Sequence, residues 1–241
     1  MRGTFDGKAL ARAMTRLQFA RKSVRPILES VLIRVGSDEA TLTATDLSTT
    51  VVVSLACTGG TYGLALLPIA AMARATKDAR SVTIEVEGLL TATLRTDGAT
   101  HTLHCDSVDD YPPIATAPAR VDVEVQVGAF RDALTSVAYA MSDDLTRPHI
   151  SGLCLQPDSL AGTMRIAATD GHRLALVTVP ATTMLSARGT TIIPRAAVAH
   201  IQKMLRYVPA GSTLGITALD GLITIRCGAD RVLAKLEDLV Y

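Results

Sequence analysis

Hydrophobic and polar positions along the chain follow two periods, one typical of helices and one of strands. Leu10, Met14 and Leu17 recur at helical spacing within Lys8–Ala20, and Asp6 stands where an N-cap belongs. Segments rich in β-branched residues predict strands at Ile27–Val35, Ala40–Ala44, Thr49–Ala56, Val82–Val86, Leu89–Arg95 and Thr100–Cys105, with a hairpin at Glu87-Gly88. Further helices are predicted from Pro68 to about Lys77, and at about Gly128–Met141 and Pro194–Tyr207.

The pattern of the first half returns in the second. Arg25–Ile33 (RPILESVLI) aligns with Arg147–Leu155 (RPHISGLCL) at an offset of 122 residues. The same order continues with Leu42–Asp46 and Ile166–Asp170, Leu67–Ala73 and Ile193–Ala199, and Gly88–Thr91 and Gly221–Thr224. The offset rises to 133 residues, as small loop insertions would produce. The sequence therefore predicts two tandem copies of one domain.

A proline-rich stretch separates the copies. The linker falls at about Asp109–Pro118, which gives domains of about Met1–Ile114 and Ala119–Tyr241. Each copy combines two helices with many strands. This composition predicts an α+β fold, with helices on one face and antiparallel sheets on the other.

Composition excludes several classes of protein. The 24 Lys and Arg residues nearly balance the 23 Asp and Glu residues, so the surface is not uniformly basic. No continuous membrane span and no secretory signal are visible. The four cysteines lie tens of residues apart, which argues against a metal knuckle or a disulfide scaffold and favours a reducing, cytoplasmic location. No nucleotide-binding or hydrolase motif is present, so we expect no cofactor, no metal and no catalytic residue.

Two constellations leave an enzymatic alternative open. Asp170 and His172 form an Asp-Gly-His run that would suit a metal or an acid–base pair, but no third ligand stands at suitable spacing. Its repeat mate Asp46 lacks the histidine, so we expect Asp170 to be a turn residue that binds the backbone. Cys105, next to His104, would be a candidate nucleophile.

At these motifs the chain resembles a known family. Ala168–Leu174 (ATDGHRL), with Arg147–Gly152 before it and Ile192–Arg195 after it, resembles the bacterial DNA polymerase III beta subunit, the sliding clamp. Pro26–Leu28 followed by Ala44–Leu47 resembles the first domain of that family. The resemblance covers essentially the whole chain. It implies a closed ring around duplex DNA, with helices on the inner face and sheets on the outer face.

The family has three domains in each chain and six in each ring, whereas this sequence ends at Tyr241 after the second. Lys235–Tyr241 resembles the start of the second linker. The chain is therefore expected to be either a fragment or a two-domain clamp. We favour the second, in which three copies would form a homo-oligomeric, trimeric ring.

The resemblance implies that basic residues on the helices face DNA. Lys8, Arg12 and Arg16 recur on one helix face. Lys22 matches a position where the family carries a basic residue that contacts DNA. The full set of expected DNA-binding residues is Lys8, Arg12, Arg16, Arg21, Lys22, Arg74, Lys77, Arg195, Lys203 and Arg206. Each alone would equally suit a solvated helix surface, and the third helix is weakest because Asp132 offsets Arg131.

The resemblance also implies two protein-binding regions. The pocket for short partner peptides would be lined by Ile150, Thr169, Gly171, His172, Arg173 and Leu174, with the rest supplied by the missing domain. His101 and Leu103 are expected near the sheet edge that joins subunits.

The expected function is that of a DNA sliding clamp, a processivity factor without catalytic activity. Its partners would be double-stranded DNA, a DNA polymerase and an ATP-driven clamp loader, and no membrane. The alternative is a clamp-like accessory or decoy protein that does not encircle DNA.

Overall fold

The chain divides into two compact units, Met1–Ile114 (unit 1) and Ala115–Tyr241 (unit 2). The computed structural model describes residues 1–22, 25–88, 90–116, 118, 120–144, 146–184 and 189–236, and only the backbone of residues 21 and 22.

Unit 1 begins with a strand and a helix. Its α-helices are α1 (Gly7–Leu17) and α2 (Ile69–Ala75). Its strands are β1 (Arg2–Asp6), β2 (Ser30–Val35), β3 (Glu39–Thr45), β4 (Thr49–Ala56), β5 (Thr58–Thr61), β6 (Gly63–Pro68), β7 (Ser81–Val86), β8 (Thr91–Arg95) and β9 (Thr100–His104).

Unit 2 repeats this order of elements. Its α-helices are α3 (Val127–Val137) and α4 (Arg195–Leu205). Its strands are β10 (Val123–Gln126), β11 (Gly152–Asp158), β12 (Thr163–Thr169), β13 (Leu174–Pro180), β14 (Thr182–Thr183), β15 (Thr191–Pro194), β16 (Thr213–Leu219), β17 (Leu222–Cys227) and β18 (Asp230–Lys235).

Strand order shows that the units are copies of each other. Within the described residues of unit 1, strands pair in the orders β5-β1-β7-β8-β9 and β4-β3-β2-β6. Those described in unit 2 pair in the orders β14-β10-β16-β17-β18 and β13-β12-β11-β15. Adding nine to each strand number of unit 1 gives the order in unit 2. The duplication predicted from the sequence is therefore confirmed.

Each unit buries its core between helices and sheets. In unit 1, α1 packs beside α2 and contacts β3, β4 and β7, and in unit 2, α3 packs beside α4. Leu10, Met14 and Leu17 are buried on one face of α1, as their spacing predicts. Asp6 caps this helix by accepting a 2.8 Å hydrogen bond from the Ala9 N–H. The α+β prediction is thus confirmed.

Some predicted boundaries were wrong. The first helix ends at Leu17 and continues as a 3₁₀ segment over Gln18–Lys22. The strand predicted from Ile27 begins at Ser30, because Pro26–Glu29 forms a 3₁₀ turn.

Three strands of unit 1 were not predicted. They are β1, β5 and β6, of which β5 reads Thr-Gly-Gly-Thr. That sequence has low strand propensity, and β5 forms because β1 pairs with it. Leu89, predicted to begin a strand, lies outside the described residues.

In the part of the chain that the structure describes, no helix has the length and apolar character needed to cross a bilayer.

Candidate nucleic-acid interface and peptide groove

The four described α-helices concentrate positive charge. They carry seven cationic side chains and one carboxylate, although the whole chain has a net charge of only +1. The cations are Lys8, Arg12, Arg16, Arg74, Arg131, Arg195 and Lys203, and the carboxylate is Asp132. Such segregation creates a local positive potential that the net charge conceals.

Helix α1 presents part of the expected basic stripe. Lys8 and Arg12 are exposed on the face opposite the core. Arg16 was expected beside them, but only 9% of it is exposed. It stands in the last turn of the helix, at the border of the buried stripe, where the chain bends into the 3₁₀ segment. Arg16 therefore differs from a freely solvated DNA-facing cation.

The other expected cations are mostly exposed. Arg74, Lys77, Lys203 and Arg206 all face solvent. Within the described residues, these four and Lys8 form no ion pair. Their charge is therefore available to an external anion. The side chains of Arg21 and Lys22, two further expected contacts, lie outside the described part of the structure.

Arg195 has partners inside unit 2. Its Nη1 donates to the carbonyl of Met141 at 2.9 Å and lies 3.4 Å from that of Ser142. Its Nη2 lies 2.8 Å from Asp143 Oδ1. Because its guanidinium holds the segment that follows α3, Arg195 is a structural residue as well as a candidate for DNA contact.

Helix α3 lacks the stripe, as its sequence predicts. Arg131 Nη1 lies 3.5 Å from the Val208 carbonyl, and Asp132, Thr135 and Ser136 are exposed. The exposed face of this helix is therefore neutral to acidic.

The turn that begins the predicted peptide groove is held by Asp170. Asp170 Oδ1 accepts hydrogen bonds from the N–H groups of His172 (2.9 Å) and Arg173 (3.0 Å). These two bonds, with the Arg173 guanidinium, hold the pKa of the Asp170 carboxyl below its ordinary value. In unit 1, Asp46 Oδ1 accepts in the same way from Ser48 (3.0 Å) and Thr49 (2.7 Å). The predicted turn role of Asp170 is confirmed.

Arg173, which follows this turn, is held by two partners. Its Nε donates to Asp170 Oδ2 at 2.8 Å, and its Nη2 donates to the Tyr139 carbonyl at 3.0 Å. The guanidinium carbon also lies 5.2 Å from the centre of the Tyr139 ring, over its face. Arg173 is thus fixed in position although it is exposed, as a preformed binding surface requires.

Exposed apolar side chains follow this fixed arginine in the chain. Leu174 is 67% exposed, Leu176 is exposed two residues later on β13, and Ile150 is partly exposed. Gly171 leaves room for close approach, because a Cβ there would meet only Arg147 Nη1, at 3.7 Å. The structure brings Thr169, Gly171, His172, Arg173 and Leu174 together on one turn and the start of one strand.

Sequence reasoning missed three residues of this region. Tyr139 lies 34 residues from Arg173 along the chain, so no local signal connects them. Arg147 stood in the repeated motif but was not assigned to the groove. Leu176 has the same exposed orientation as Leu174 because side chains alternate along β13.

His101 and Leu103 lie on β9, which ends its sheet in the described part of unit 1. Both are partly buried and share one face, whereas Thr102 and His104 are exposed. The edge position agrees with what the family resemblance implies, and a role of these residues in joining subunits stays a prediction.

The enzymatic alternatives gain no support. Cys105 is buried, and burial together with the nearby Asp106 carboxylate raises the pKa of its thiol. A nucleophilic cysteine requires the opposite shift. Both oxygens of Asp170 are engaged in its turn. Among the described residues, no three His, Cys, Asp or Glu side chains are grouped to hold a metal ion.

Comparison with known proteins identifies relatives of the whole chain. Residues 124–241 match the family model for the DNA polymerase III beta subunit, central domain. The chain is 24% identical over 225 residues to the beta sliding clamp of Pseudomonas aeruginosa, covering 92% of this chain and 58% of that protein. It is 29% identical to the beta sliding clamp of Synechococcus elongatus, covering 90% of this chain and 58% of that protein. The chain thus spans somewhat over half the length of these relatives.

Solved structures show the same fold. The DNA polymerase III subunit beta of Pseudomonas aeruginosa superposes with a TM-score of 0.88 at 23% identity, over 100% of this chain and 66% of that one. The DNA polymerase sliding clamp of Bacillus subtilis gives a TM-score of 0.88 at 18% identity, with the same coverage. With its duplicated units and the match of residues 124–241 to the central domain of the DNA polymerase III beta subunit, the chain is similar to beta sliding clamps in sequence and in fold.

Proposed function

We propose that the chain acts as a DNA sliding clamp, a ring-forming processivity factor that encircles duplex DNA and tethers a replicative polymerase. The observation that carries this proposal is the segregation of charge, with seven cations and one carboxylate on the described α-helices of a nearly neutral chain. Lysine and arginine attract phosphates without reading bases, so a duplex could slide past them.

The ring would be a homo-oligomer. A chain with two equivalent units reaches the six units of a clamp ring when three copies join head to tail. The edge strand β9, with His101 and Leu103, supports this as one joining surface, because an unpaired sheet edge can accept a strand of another chain.

The groove of unit 2 would hold polymerase and the ATP-driven clamp loader through short peptides. The exposed Leu174 and Leu176 offer apolar contact, and the braced Arg173 and the Gly171 backbone offer polar contact. The chain itself would perform no catalysis, would need no cofactor and would work in the cytoplasm.

Retention on circular DNA tests encirclement. The chain is incubated at high concentration with a nicked circular duplex or with the same duplex made linear, and then passed through a sizing column. A clamp stays with the circle and slides off the linear form. Equal retention on both forms would contradict encirclement, and light scattering should give three chain masses.

Charge reversal tests the helices. The triple variant Lys8→Glu, Lys203→Glu and Arg206→Glu should lose retention on the circle. The matched control is Arg34→Glu, Arg95→Glu and Arg165→Glu, which changes the net charge equally at exposed positions on strands. If both variants lose retention alike, helix position is irrelevant, and if neither does, the accessory or decoy alternative is favoured.

A further inference from the structure

Unit 1 contains repeat-related counterparts of the residues proposed to line the unit-2 groove. Leu28 occupies the position that Ile150 has in unit 2. The local backbone is the same, since the Leu28 N–H donates to the Arg25 carbonyl at 3.0 Å and the Ile150 N–H to the Arg147 carbonyl at 3.1 Å. The backbone around Leu28 in unit 1 is therefore equivalent to that around Ile150 in unit 2.

The turn at Thr169–Arg173 is also shared. Thr45 Oγ1 donates to the Thr49 carbonyl at 3.1 Å, and Thr169 Oγ1 donates to the Arg173 carbonyl at 2.7 Å. With the paired aspartates, the two turns have the same hydrogen bonds. Unit 1 thus has counterparts of Ile150 and of the Thr169–Arg173 turn, which are proposed to bind partner peptides in unit 2.

In unit 1 the space beside these residues is filled by the chain itself. Tyr111 packs against Leu28 and Leu66, and Val108 and Ile114 pack against the same cluster. The Tyr111 hydroxyl lies beside the backbone of Thr45. Tyr111 is 7% exposed and Leu28 only 1% exposed. By contrast, Ile150 is partly exposed.

The filling segment is short and weakly anchored by its backbone. It begins with a 3₁₀ turn over Val108–Asp110, and the Tyr111 N–H donates to the Val108 carbonyl at 3.2 Å. Asp109 and Asp110 are exposed. The segment therefore lies on unit 1 with one aromatic side chain, Tyr111, as its anchor.

We propose that Val108–Ile114 is a built-in ligand of unit 1, in which Tyr111 occupies the repeat-related copy of the partner groove and closes it to other peptides. The inference rests on the proposed function of the groove in unit 2. A tethered segment acts at an effective concentration on the order of millimolar. Partner peptides at micromolar concentration would not displace it, so partners are directed to unit 2.

Removal of the anchor should open unit 1. The probe is a fluorescein-labelled peptide with the sequence of Val108–Ile114, added to the full chain and followed by backbone NMR. We expect this peptide to bind the Tyr111→Ala chain at least about tenfold more tightly than it binds the wild-type chain. The shifted signals should include Leu28 and Thr45. Tyr62→Ala, which removes an exposed tyrosine of the same unit, should behave as the wild type.

The proposal is overturned if the Tyr111→Ala chain folds but the peptide shifts no NMR signal of Leu28 and Thr45. It is also overturned if the peptide binds there equally well to the wild-type chain. If this variant does not fold, hydrogen exchange of the wild type decides. The Tyr111 amide should then exchange at least about 100-fold faster than the amides of β2, through opening of the segment alone. If the Tyr111 amide exchanges only when the whole chain unfolds, the proposal is overturned. Failure of the clamp function appears separately, as loss of retention on circular DNA or absence of partner binding at Ile150 and Leu174.

Discussion

Leu47 and Gly171 have the same left-handed backbone conformation at equivalent positions of the two repeats, with φ of 76° and 90°. Each follows the aspartate that closes its turn. A residue with a Cβ costs about 1–2 kcal/mol in this region. The Leu47 turn bears that cost because Thr45 and Asp46 hold it by side-chain hydrogen bonds.

Gly171→Ala should therefore lower the free energy of unfolding by about 1 kcal/mol, because alanine is strained at this φ. Urea denaturation measures the change. Leu47→Ala replaces one strained side chain with another at a half-exposed site, so it should change stability by less than about 0.5 kcal/mol. Gly98→Ala is the control, since its φ is not left-handed and a Cβ there meets no atom within 4 Å. Equal effects at Gly98 and Gly171 would contradict the strain argument.

The sequence predicts what local patterns and the repeat determine. The cap at Asp6 and the turn at Asp170 follow from side chains that bind backbone groups a few residues away. The α+β architecture follows from the alternation of two periods in both halves.

Local patterns do not predict contacts between residues that lie far apart in the sequence. The burial of Arg16 does not follow from its spacing along α1, and the partners of Arg195 lie more than 50 residues earlier in sequence. The stacking of Arg173 on Tyr139 joins segments that share no motif. A helical wheel places Arg195 on a solvated stripe, because it considers only the residues of the helix itself. It therefore gives no information on the segment at Met141 and Ser142 to which Arg195 donates.

Arg195→Ala should destabilise unit 2. It removes charge-assisted bonds to the Met141 and Ser142 carbonyls and the ion pair with Asp143. The loss should be about 1–2 kcal/mol, measured by urea denaturation, because the site is only half-buried. Arg195→Lys should recover little of it, since an ammonium lacks the planar fork of donors.

Lys203→Ala is the matched comparison on the same helix. Lys203 is exposed and forms no ion pair among the described residues, so its loss should leave stability within about 0.5 kcal/mol. A stability loss at Lys203 as large as that at Arg195 would refute the assigned structural role of Arg195.

Lys203→Ala should instead weaken DNA binding with a defined salt dependence. Loss of one phosphate contact reduces the slope of log K against log salt by about 1, independently of DNA sequence. Fluorescence anisotropy with two unrelated duplexes at several salt concentrations measures this slope. Arg95→Ala, an exposed arginine paired with Glu85 at 3.4 Å on a strand, should leave the slope unchanged. If the slope for Lys203→Ala is unchanged, the assignment of α4 to the DNA-facing surface is contradicted.

Tyr111 should make the stability of unit 1 depend on alkaline pH. Burial raises the pKa of Tyr111 to about 12, above its ordinary value of 10.0. Since the folded-state pKa is the higher one, the stabilisation is fully present below pH 10 and is lost as pH rises from about 10 to 12. Two pH units correspond to about 2–3 kcal/mol.

The comparison of wild type with Tyr111→Phe isolates this contribution, because other alkaline groups titrate in both chains. Phenylalanine fills the same space without an ionisable hydroxyl, so the variant should keep its stability over a range in which the wild type loses about 2–3 kcal/mol. Urea denaturation at pH 8, 10 and 11, each as a difference between the two chains, gives the measurement, and about half of this loss, about 1–1.5 kcal/mol, should be visible at pH 11. Parallel pH curves would mean that the Tyr111 hydroxyl is solvated in the folded chain, and the segment Val108–Ile114 would then not be closed over Leu28.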